Sequence, residues 1–250
     1  MTVVPHWSAT KFMIWEQCPG EFKARYVDQH PMEVTEAMAF GQAVHSGLEA
    51  HYRGDDGIRA FRAAWRVFQS QASTYDQTLT RMGMDLIEQV VELGLSGVPE
   101  RGFSIDTNEA LGAPIVGAID LWGADGTTYD FKTTKGTWSQ ERAQKELWQP
   151  VLYTWARWLE EPEYGGDFEY IVLNRVTGTL QRFRRDWNAD TINEQMNEAW
   201  DRMRLIHNDV WADRYQCHGK HGFCPECGDR WAHDHTCGSH TGRVRLHVPE

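Results

Sequence analysis

The sequence predicts an α/β fold, because its N-terminal half carries apolar residues at helical spacing and its second half carries two hairpin patterns. Glycine and aspartate mark the first turn, at 123–126, and Thr177-Gly178 marks the second. Hydrophobic residues make up 41% of the 250 residues and include 12 Trp, which is enough for a sizeable core. We treat residues 1–250 as a single domain, with a helical part at about 8–97, a sheet-containing core at about 100–186 and a C-terminal part at about 188–240.

The N-terminal half begins with a helical pattern over residues 8–29. Ser8 immediately precedes its apolar residues and is a plausible N-cap. Cys18-Pro19 falls in the middle of the pattern, and proline cannot continue a helix without losing a hydrogen bond. The sequence therefore predicts a break there and a second short helix that starts at Pro19.

Three further helices are predicted at 35–53, 57–73 and 80–95. In the first of them Gly41, His45 and Glu49 are spaced four residues apart, so they share one face. Glycine inside a helix is costly and indicates close approach to another element. The face that carries His45 is therefore expected to pack closely.

The first hairpin carries the residues that suggest chemistry. A strand over 102–111, with Glu109 near its end, is predicted to precede it, and 115–122 and 127–133 are its two strands. Side chains two residues apart share a strand face, so Asp130 and Lys132 point the same way and Asp120 can join them. Two carboxylates on adjacent strands repel unless a cation lies between them. On this stretch alone, two interpretations stay open: a solvated strand face, which is the usual meaning of D-x-K, and a metal site beside an ammonium group.

A long helix over 139–160 is predicted next, and it places Gln149 and Tyr153 one turn apart on one face. The second hairpin pairs 168–174 with 179–185. Its three arginines give it a local positive charge: Arg182, Arg184 and Arg185. A final helix is predicted at 188–211.

Composition limits the class of protein. The net charge of −11 counts against a broad basic surface for nucleic acid, although a local basic channel remains compatible with it. No apolar run reaches about 18 residues, so no membrane span is predicted. The N-terminal MTVVPHWSAT lacks the charged and apolar regions of a signal peptide, which predicts a cytoplasmic protein.

The tail concentrates four of the five cysteines within 21 residues: Cys217, Cys224, Cys227 and Cys237. In a reducing compartment such clustering favours a metal centre over disulfides. Four tail thiolates would make a zinc knuckle, whereas three of them with Cys18 would tie the two ends of the chain together. Nearby histidines widen the choice of ligands: His218, His221, His233, His235 and His240.

These signals together resemble the RecB-like branch of the PD-(D/E)XK nucleases. The resemblance rests on the order of five motifs, each of them weak alone. They are G-x3-H (Gly41, His45), Glu109, G-x2-D (Gly117, Asp120), D-x-K-T (Asp130, Lys132, Thr133) and Q-x3-Y (Gln149, Tyr153). The resemblance covers about residues 8–240 and implies an αβββαβ restriction-endonuclease-like core. It further implies a mixed central sheet of about five strands, a helical N-terminal half over the sheet and a Cys-rich tail.

The resemblance also implies the roles of the candidate residues. Mg²⁺ or Mn²⁺ would be held by His45, Asp120, Asp130 and the carbonyl of Phe131, and Glu109 would bind a second metal or shape the site. The ammonium of Lys132 would position or help deprotonate the attacking water and stabilise the pentacovalent phosphate. The side chains of Gln149 and Tyr153 would orient the lysine, the phosphate or the adjacent nucleotide.

The Cys18-Pro19 pair together with the tail cysteines resembles the iron–sulfur subgroup of these nucleases. That subgroup includes the AddB nuclease domain, the CRISPR-associated RecB-like exonucleases and many phage exonucleases. There, one N-terminal and three C-terminal cysteines hold a [4Fe–4S] cluster, so this chain has one cysteine more than required. The spacing C-x6-C at Cys217 and Cys224 resembles the phage members, which leaves Cys227 or Cys237 as the spare. Structural Zn²⁺ is the alternative.

Two functions follow from these expectations. The first is a Mg²⁺- or Mn²⁺-dependent deoxyribonuclease, an exonuclease rather than an endonuclease, that acts on DNA ends or single strands. It would serve recombination, repair or phage DNA processing, with recombination or repair proteins as partners. The second is a non-catalytic nucleic-acid-binding or assembly subunit that retains the nuclease fold and is held together by a structural zinc or iron–sulfur site. The intact D-x-K motif with its His and Asp ligands favours the first.

Overall fold

The computed structural model describes residues 4–31, 34–71, 76–185, 187 and 189–215. The chain forms two compact units, each assembled from separate stretches of sequence. The first unit comprises Met1–Met32, Ser104–Gly117 and Glu194–Glu250, and the second comprises Glu33–Phe103 and Ala118–Asn193. The single domain over residues 1–250 stays a prediction.

The first unit begins with α1 (Ala9–Gln17), and Ser8 caps it as predicted by accepting the backbone N–H of Lys11 at 3.3 Å. The predicted break is also present. Cys18 is extended, as residues before proline prefer, and Pro19 opens α2 (Pro19–Phe22), where its missing N–H costs nothing. A five-residue π-helix, Lys23–Val27, continues from α2.

Trp7 organises the apolar centre of the first unit. Its ring stacks on Phe12 at 5.2 Å between centroids, and its indole N–H donates to the carbonyl of Leu111 at 3.1 Å. Leu111 ends the short helix α6 (Asn108–Leu111). A single parallel bridge joins Trp7 to Ile115. The buried tryptophan thereby joins the N-terminal stretch to the stretch that contains Leu111 and Ile115.

The second unit opens with α3 (Glu36–Tyr52), α4 (Gly57–Gln71) and α5 (Gln77–Glu92), which confirms the three predicted helices. The last of them starts three residues earlier than predicted because Asp76 caps it, accepting the N–H of Leu79 at 3.0 Å. Apolar side chains from all three helices pack on one face of the sheet in one buried cluster. It includes Phe40, Val44, Phe61, Trp65, Leu86, Phe131 and Ile171.

The sheet is mixed and has five strands in the order β1-β2-β3-β4-β5. They are β1 (Gly97–Ile105), β2 (Ile115–Gly123), β3 (Thr128–Thr134), β4 (Phe168–Asn174) and β5 (Leu180–Arg185). The pairs β2–β3 and β4–β5 are antiparallel, whereas β3 and β4 are parallel. Parallel neighbours need a long crossover, and two helices supply it: α7 (Gln140–Lys145) and α8 (Trp148–Glu160). The last helix, α9, spans Ala189–Trp211.

Two predicted elements are wrong in their extent. The single helix over 139–160 is two helices, because Pro150 would clash with the carbonyl of Glu146, four residues earlier. The strand predicted over 102–111 runs instead from Gly97 to Ile105. It ends before Asp106, whose carboxylate accepts the N–H of Asn108 at 3.0 Å and turns the chain into α6. Glu109 therefore lies on a helix and not on a strand.

The arginines that give the second hairpin its predicted positive charge pair with acidic side chains or a backbone carbonyl of the same chain. The Arg182 guanidinium donates to Glu169 at 2.9 Å, and Arg184 donates to Asp167 at 2.7 Å. Arg185 is buried and donates to the carbonyl of Ala143, in α7, at 3.2 Å. These arginines act as braces for the sheet and for α7. Among the described residues, no helix combines the length and the apolar character needed to cross a membrane.

Candidate active site

The site forms where β2 and β3 meet. The two strands pair at Trp122–Thr128 and Leu121–Tyr129. On β2, Asp120 immediately precedes Leu121, and its carboxylate accepts the backbone N–H of Phe131 at 2.7 Å. This hydrogen bond fixes the direction of Asp120, whose second oxygen is left to face α3.

His45 reaches the same point from α3. Its Nε2 donates to the carbonyl of Phe131 at 3.0 Å. Gly41, one turn earlier, lies so close to β3 that an added Cβ would stand 3.0 Å from Thr133 Oγ1. The glycine predicted to mark close packing therefore brings α3 near enough for the imidazole to contact the strand.

Glu100 on β1 completes a group that the sequence did not predict. Its carboxylate lies 3.9 Å from His45 Nδ1, and Asp120 lies 3.6 Å from the same nitrogen. Suitable ligand atoms of these three residues all lie within 4.8 Å of one another. The backbone of Glu100 has φ of +47°, a left-handed conformation that is costly for any residue except glycine. Such strain often persists where a side chain has to be aimed at a site.

The carboxylates change the titration of His45. Burial by itself would lower the pKa of His45, but the charge of Asp120 and a hydrogen bond to Glu100 outweigh burial and raise the pKa to about 9. At neutral pH the ring therefore carries a proton between the two carboxylates. A divalent cation that binds Nδ1 has to displace this proton.

Asp130 is the second centre of the site and is fully buried. One of its oxygens pairs with the ammonium of Lys132, and the other accepts from the side-chain amide of Gln149 at 3.0 Å. Burial raises the pKa of Asp130, and the positive charge of Lys132 opposes that rise. The shared face predicted for Asp130 and Lys132 is therefore present in the structure.

Helix α8 supplies Gln149 and Tyr153 from one face, as predicted. The amide of Gln149 donates to the Tyr153 hydroxyl at 3.4 Å, and the Tyr153 ring packs edge-on against Phe103 at 5.8 Å. Burial and then the charge of Asp130 raise the pKa of Tyr153 well above its ordinary value. The phenol therefore stays protonated at neutral pH and can donate a hydrogen bond.

The donor set fits a divalent cation. Carboxylate and carbonyl oxygens suit Mg²⁺ and Mn²⁺, and an imidazole makes Mn²⁺ the more acceptable of the two. Glu100 and Asp120 approach the same imidazole, so their like charges would repel in the absence of a positive group. A cation held here would neutralise that repulsion.

The residues predicted for the active site fall into two groups, and Glu109 belongs to neither. His45, Asp120 and the Phe131 carbonyl form the first group, and the second comprises Asp130, Lys132, Gln149 and Tyr153. Glu109 is exposed on α6, and its ligand role stays a prediction, whereas Glu100 is the carboxylate that contacts His45. The tail cysteines at 217–237 lie outside the described residues. No periodic pattern marks Glu100, because its left-handed backbone breaks the alternation of the strand.

Two comparisons with known proteins agree with this fold. A family model described as the PD-(D/E)XK nuclease superfamily matches residues 6–232. Among solved structures, the chain is similar to a crystal structure of a "Putative exonuclease" from Eubacterium rectale. The TM-score is 0.60 over 90% of this chain and 88% of that chain, at 9% identity, so this similarity concerns the fold alone. Among curated proteins, none matches this sequence. The predicted α/β fold with a restriction-endonuclease-like core is confirmed.

The first prediction concerns the approach of α3 to β3. Gly41→Ala should lower the affinity for Mn²⁺ by roughly tenfold, because the added methyl group pushes His45 away from the strand. Stability should change little, since alanine is the better helix former. Thr133→Ala in the same chain removes the atom that the methyl group meets and should restore the affinity. Titration calorimetry of the two single variants and the double variant measures this, and a double variant as weak as Gly41→Ala would contradict the steric explanation.

The second prediction separates the strain at Glu100 from its charge. Glu100→Gly should weaken Mn²⁺ binding by at least about tenfold. Its free energy of unfolding should stay within about 1 kcal/mol of the parent value, because relief of the left-handed strain offsets the greater freedom of the unfolded chain. Glu100→Gln is the matched control that keeps the strain and removes the charge. Calorimetry and denaturant unfolding test both, and undiminished Mn²⁺ binding by either variant would exclude Glu100 as a ligand.

Proposed function

Because the chain belongs to the PD-(D/E)XK nuclease superfamily, we propose that it is a divalent-metal-dependent deoxyribonuclease that acts as an exonuclease. The observation that carries this proposal is the pairing of buried Asp130 with Lys132 beside the group formed by His45, Glu100 and Asp120. Its metal would be Mg²⁺ or Mn²⁺. The preference for exonuclease action is supported by the resemblance of the motifs and by the name of the similar structure from Eubacterium rectale.

Four side chains and one carbonyl would hold the cation: His45, Glu100, Asp120, Asp130 and the carbonyl of Phe131. Two of these side chains are already held in place, because His45 and Asp120 both hydrogen-bond to the backbone of Phe131. When bound, the cation supplies Lewis-acid polarisation of the phosphate and a more acidic water. We keep for Glu109 the role of binding a second metal or shaping the site.

Lys132 would orient the attacking water and stabilise the phosphate. Hydrolysis joins a water oxygen to phosphorus, breaks the bond from phosphorus to one ester oxygen and returns a proton to that leaving oxygen. The ammonium can donate to the water and to a phosphate oxygen in turn, because it carries three donors and only one is needed for Asp130. Asp130 keeps the ammonium beside the reacting atoms.

Gln149 and Tyr153 would hold this arrangement in place. The Gln149 amide fixes one oxygen of Asp130, so the other oxygen stays turned to Lys132. The protonated phenol of Tyr153 would donate to the phosphate or the adjacent nucleotide. Both side chains act without changing protonation state.

The substrate would be DNA presented as an end or a single strand, in recombination, repair or phage DNA processing. Recombination or repair proteins are the proposed partners, and the cytoplasm is the proposed location. The alternative is a non-catalytic subunit that retains the fold. In such a subunit Asp130 and Lys132 would have no catalytic role. The buried Asp130–Lys132 pair argues against that alternative, because burying a carboxylate is costly and a purely structural sheet would be better served by apolar residues.

The third prediction concerns the reacting groups. Asp130→Ala and Lys132→Ala should each abolish release of nucleotides from labelled linear DNA in Mg²⁺ or Mn²⁺, because each removes a member of the pair that faces the phosphate. Mutation of such groups typically costs about a hundredfold or more in rate. Assays on 5′- and 3′-labelled linear and circular DNA would also reveal polarity and distinguish exonuclease from endonuclease action.

Two controls sharpen this experiment. Glu109→Gln should cleave at the parent rate if Glu100 is the ligand, whereas Glu100→Gln should be impaired. Parent-like hydrolysis by a correctly folded Asp130→Ala or Lys132→Ala variant would refute the nuclease assignment. Binding of DNA without any cleavage by the parent protein would favour the non-catalytic subunit.

We further propose a [4Fe–4S] cluster held by Cys18 and three of the tail cysteines. The Cys18 sulfur is buried at the N-terminus of α2 and accepts the N–H of Glu21 at 3.4 Å. Tyr215 packs on Trp15 at 5.5 Å, and the ammonium of Lys23 lies 5.6 Å from its ring. Residues on both sides of Cys18 therefore contact Tyr215. Tyr215 stands two positions before Cys217, so at most about 7 Å of chain separates these two residues.

The fourth prediction distinguishes this cluster from zinc. Anaerobically purified protein should be brown and contain iron, and Cys18→Ser should bleach it and lower its thermal stability, because all four thiolates are needed. One of Cys227→Ser and Cys237→Ser should leave the colour unchanged and thereby identify the spare cysteine. A colourless protein with one equivalent of zinc that is unaffected by Cys18→Ser would replace the cluster with a zinc knuckle of tail residues.

A further inference from the structure

Tyr170 lies beneath the ammonium of Lys132, and the sequence motifs do not include it. In the parallel pairing of β3 and β4, Asp130 stands opposite Tyr170, so both side chains leave the sheet on the same face. The Lys132 ammonium lies 5.8 Å from the centroid of the Tyr170 ring, within the range of a cation–π contact. The ammonium thus has a carboxylate and an aromatic face as its two neighbours on the sheet.

The Tyr170 ring is itself fixed. It is 1% exposed, and Phe168 packs against it edge-on at 4.8 Å between centroids. Trp138, from the segment that follows β3, packs against it at 5.3 Å. A ring held by two other rings cannot follow a moving lysine, so it acts as a fixed surface for that side chain.

Trp138 is fixed in turn by a side chain of β5. Gln181 accepts the backbone N–H of Trp138 at 3.1 Å and donates to its carbonyl at 3.2 Å. These reciprocal bonds use both functions of one amide to hold one residue. The segment after Lys132 is therefore folded back so that Trp138 rests on the ring beneath Lys132.

We propose that Tyr170 is a positioning residue for Lys132, and that it acts through its ring and not through its hydroxyl. The inference rests on the proposed role of Lys132 in hydrolysis. An aromatic face attracts an ammonium without accepting a proton and without neutralising its charge. A second carboxylate at this position would instead compete with the phosphate for the N–H donors. The ring therefore narrows the positions of Lys132 and leaves the ammonium charged and able to donate.

The test compares variants of the full-length protein. Tyr170→Phe keeps the ring and removes the hydroxyl, whereas Tyr170→Leu removes the ring. Ile171→Ala is the matched control, because Ile171 is a buried residue of the same strand that belongs to the core cluster on the opposite face. All lysines are dimethylated with ¹³C, and the Lys132 resonance is assigned from its loss in Lys132→Arg.

The ring should shift the Lys132 resonance upfield in the parent, in Tyr170→Phe and in Ile171→Ala, and the shift should be lost in Tyr170→Leu. On labelled DNA, unmethylated Tyr170→Leu should show kcat lower by roughly 3- to 10-fold with KM unchanged. Tyr170→Phe and Ile171→Ala should keep the parent kcat, although Ile171→Ala should be less stable. A parent-like Lys132 shift in folded Tyr170→Leu would overturn the proposal, and so would a loss of the shift in Tyr170→Phe.

Two further results keep the test decisive. If Tyr170→Leu does not fold, Trp138→Leu removes the ring that supports Tyr170, and the Lys132 shift and kcat should fall together. An unchanged shift and kcat in folded Trp138→Leu would overturn the proposal. If the parent protein does not cleave DNA, the nuclease assignment fails, whereas the resonance of Lys132 still reports whether the ring holds the ammonium.

Discussion

The structure depends on the compensation of three carboxylates by two cationic side chains on one patch of sheet. Glu100 and Asp120 approach His45, and buried Asp130 pairs with Lys132. Each carboxylate would be destabilised by burial or by its neighbours if the positive groups were absent. The raised pKa of His45 expresses the same compensation, because the ring keeps a proton that the two carboxylates stabilise. A divalent cation can replace that proton, so the site is already arranged for metal before any metal binds.

This compensation is possible because Phe131 links the buried core to the site. Its side chain is buried in the core that α3 covers and stacks on Tyr52 at 6.1 Å. Its backbone N–H donates to Asp120, and its carbonyl accepts from His45. Burial of one aromatic ring therefore fixes the two backbone groups around which the site is built. The packing of α3 also affects the position of His45, because Gly41 sets the separation between α3 and β3.

Local patterns predicted most elements, and the misses have identifiable causes. Caps and proline positions located the helix starts at Ser8 and Pro19, because these signals act within one turn. Pro150 indicates that the helix after Ser139 is divided in two. This division was missed because the apolar stripe continues across the break. The arginines of the second hairpin were predicted to give it a local positive charge, and their acidic and carbonyl partners became visible only in three dimensions.

The sequence by itself determined the α/β class, the order of the motifs and the shared face of Asp130 and Lys132, because strand alternation is a local property. Only the tertiary structure decided which carboxylate contacts His45. Glu100 lies 55 positions from His45 in the chain, and its side chain is aimed by a left-handed residue that no period describes. The position of the Tyr170 ring beneath Lys132 likewise follows from the pairing of β3 with β4 and from the packing of Trp138 on that ring. Such contacts join separate strands and loops, and their distances are set by packing and not by spacing along the chain.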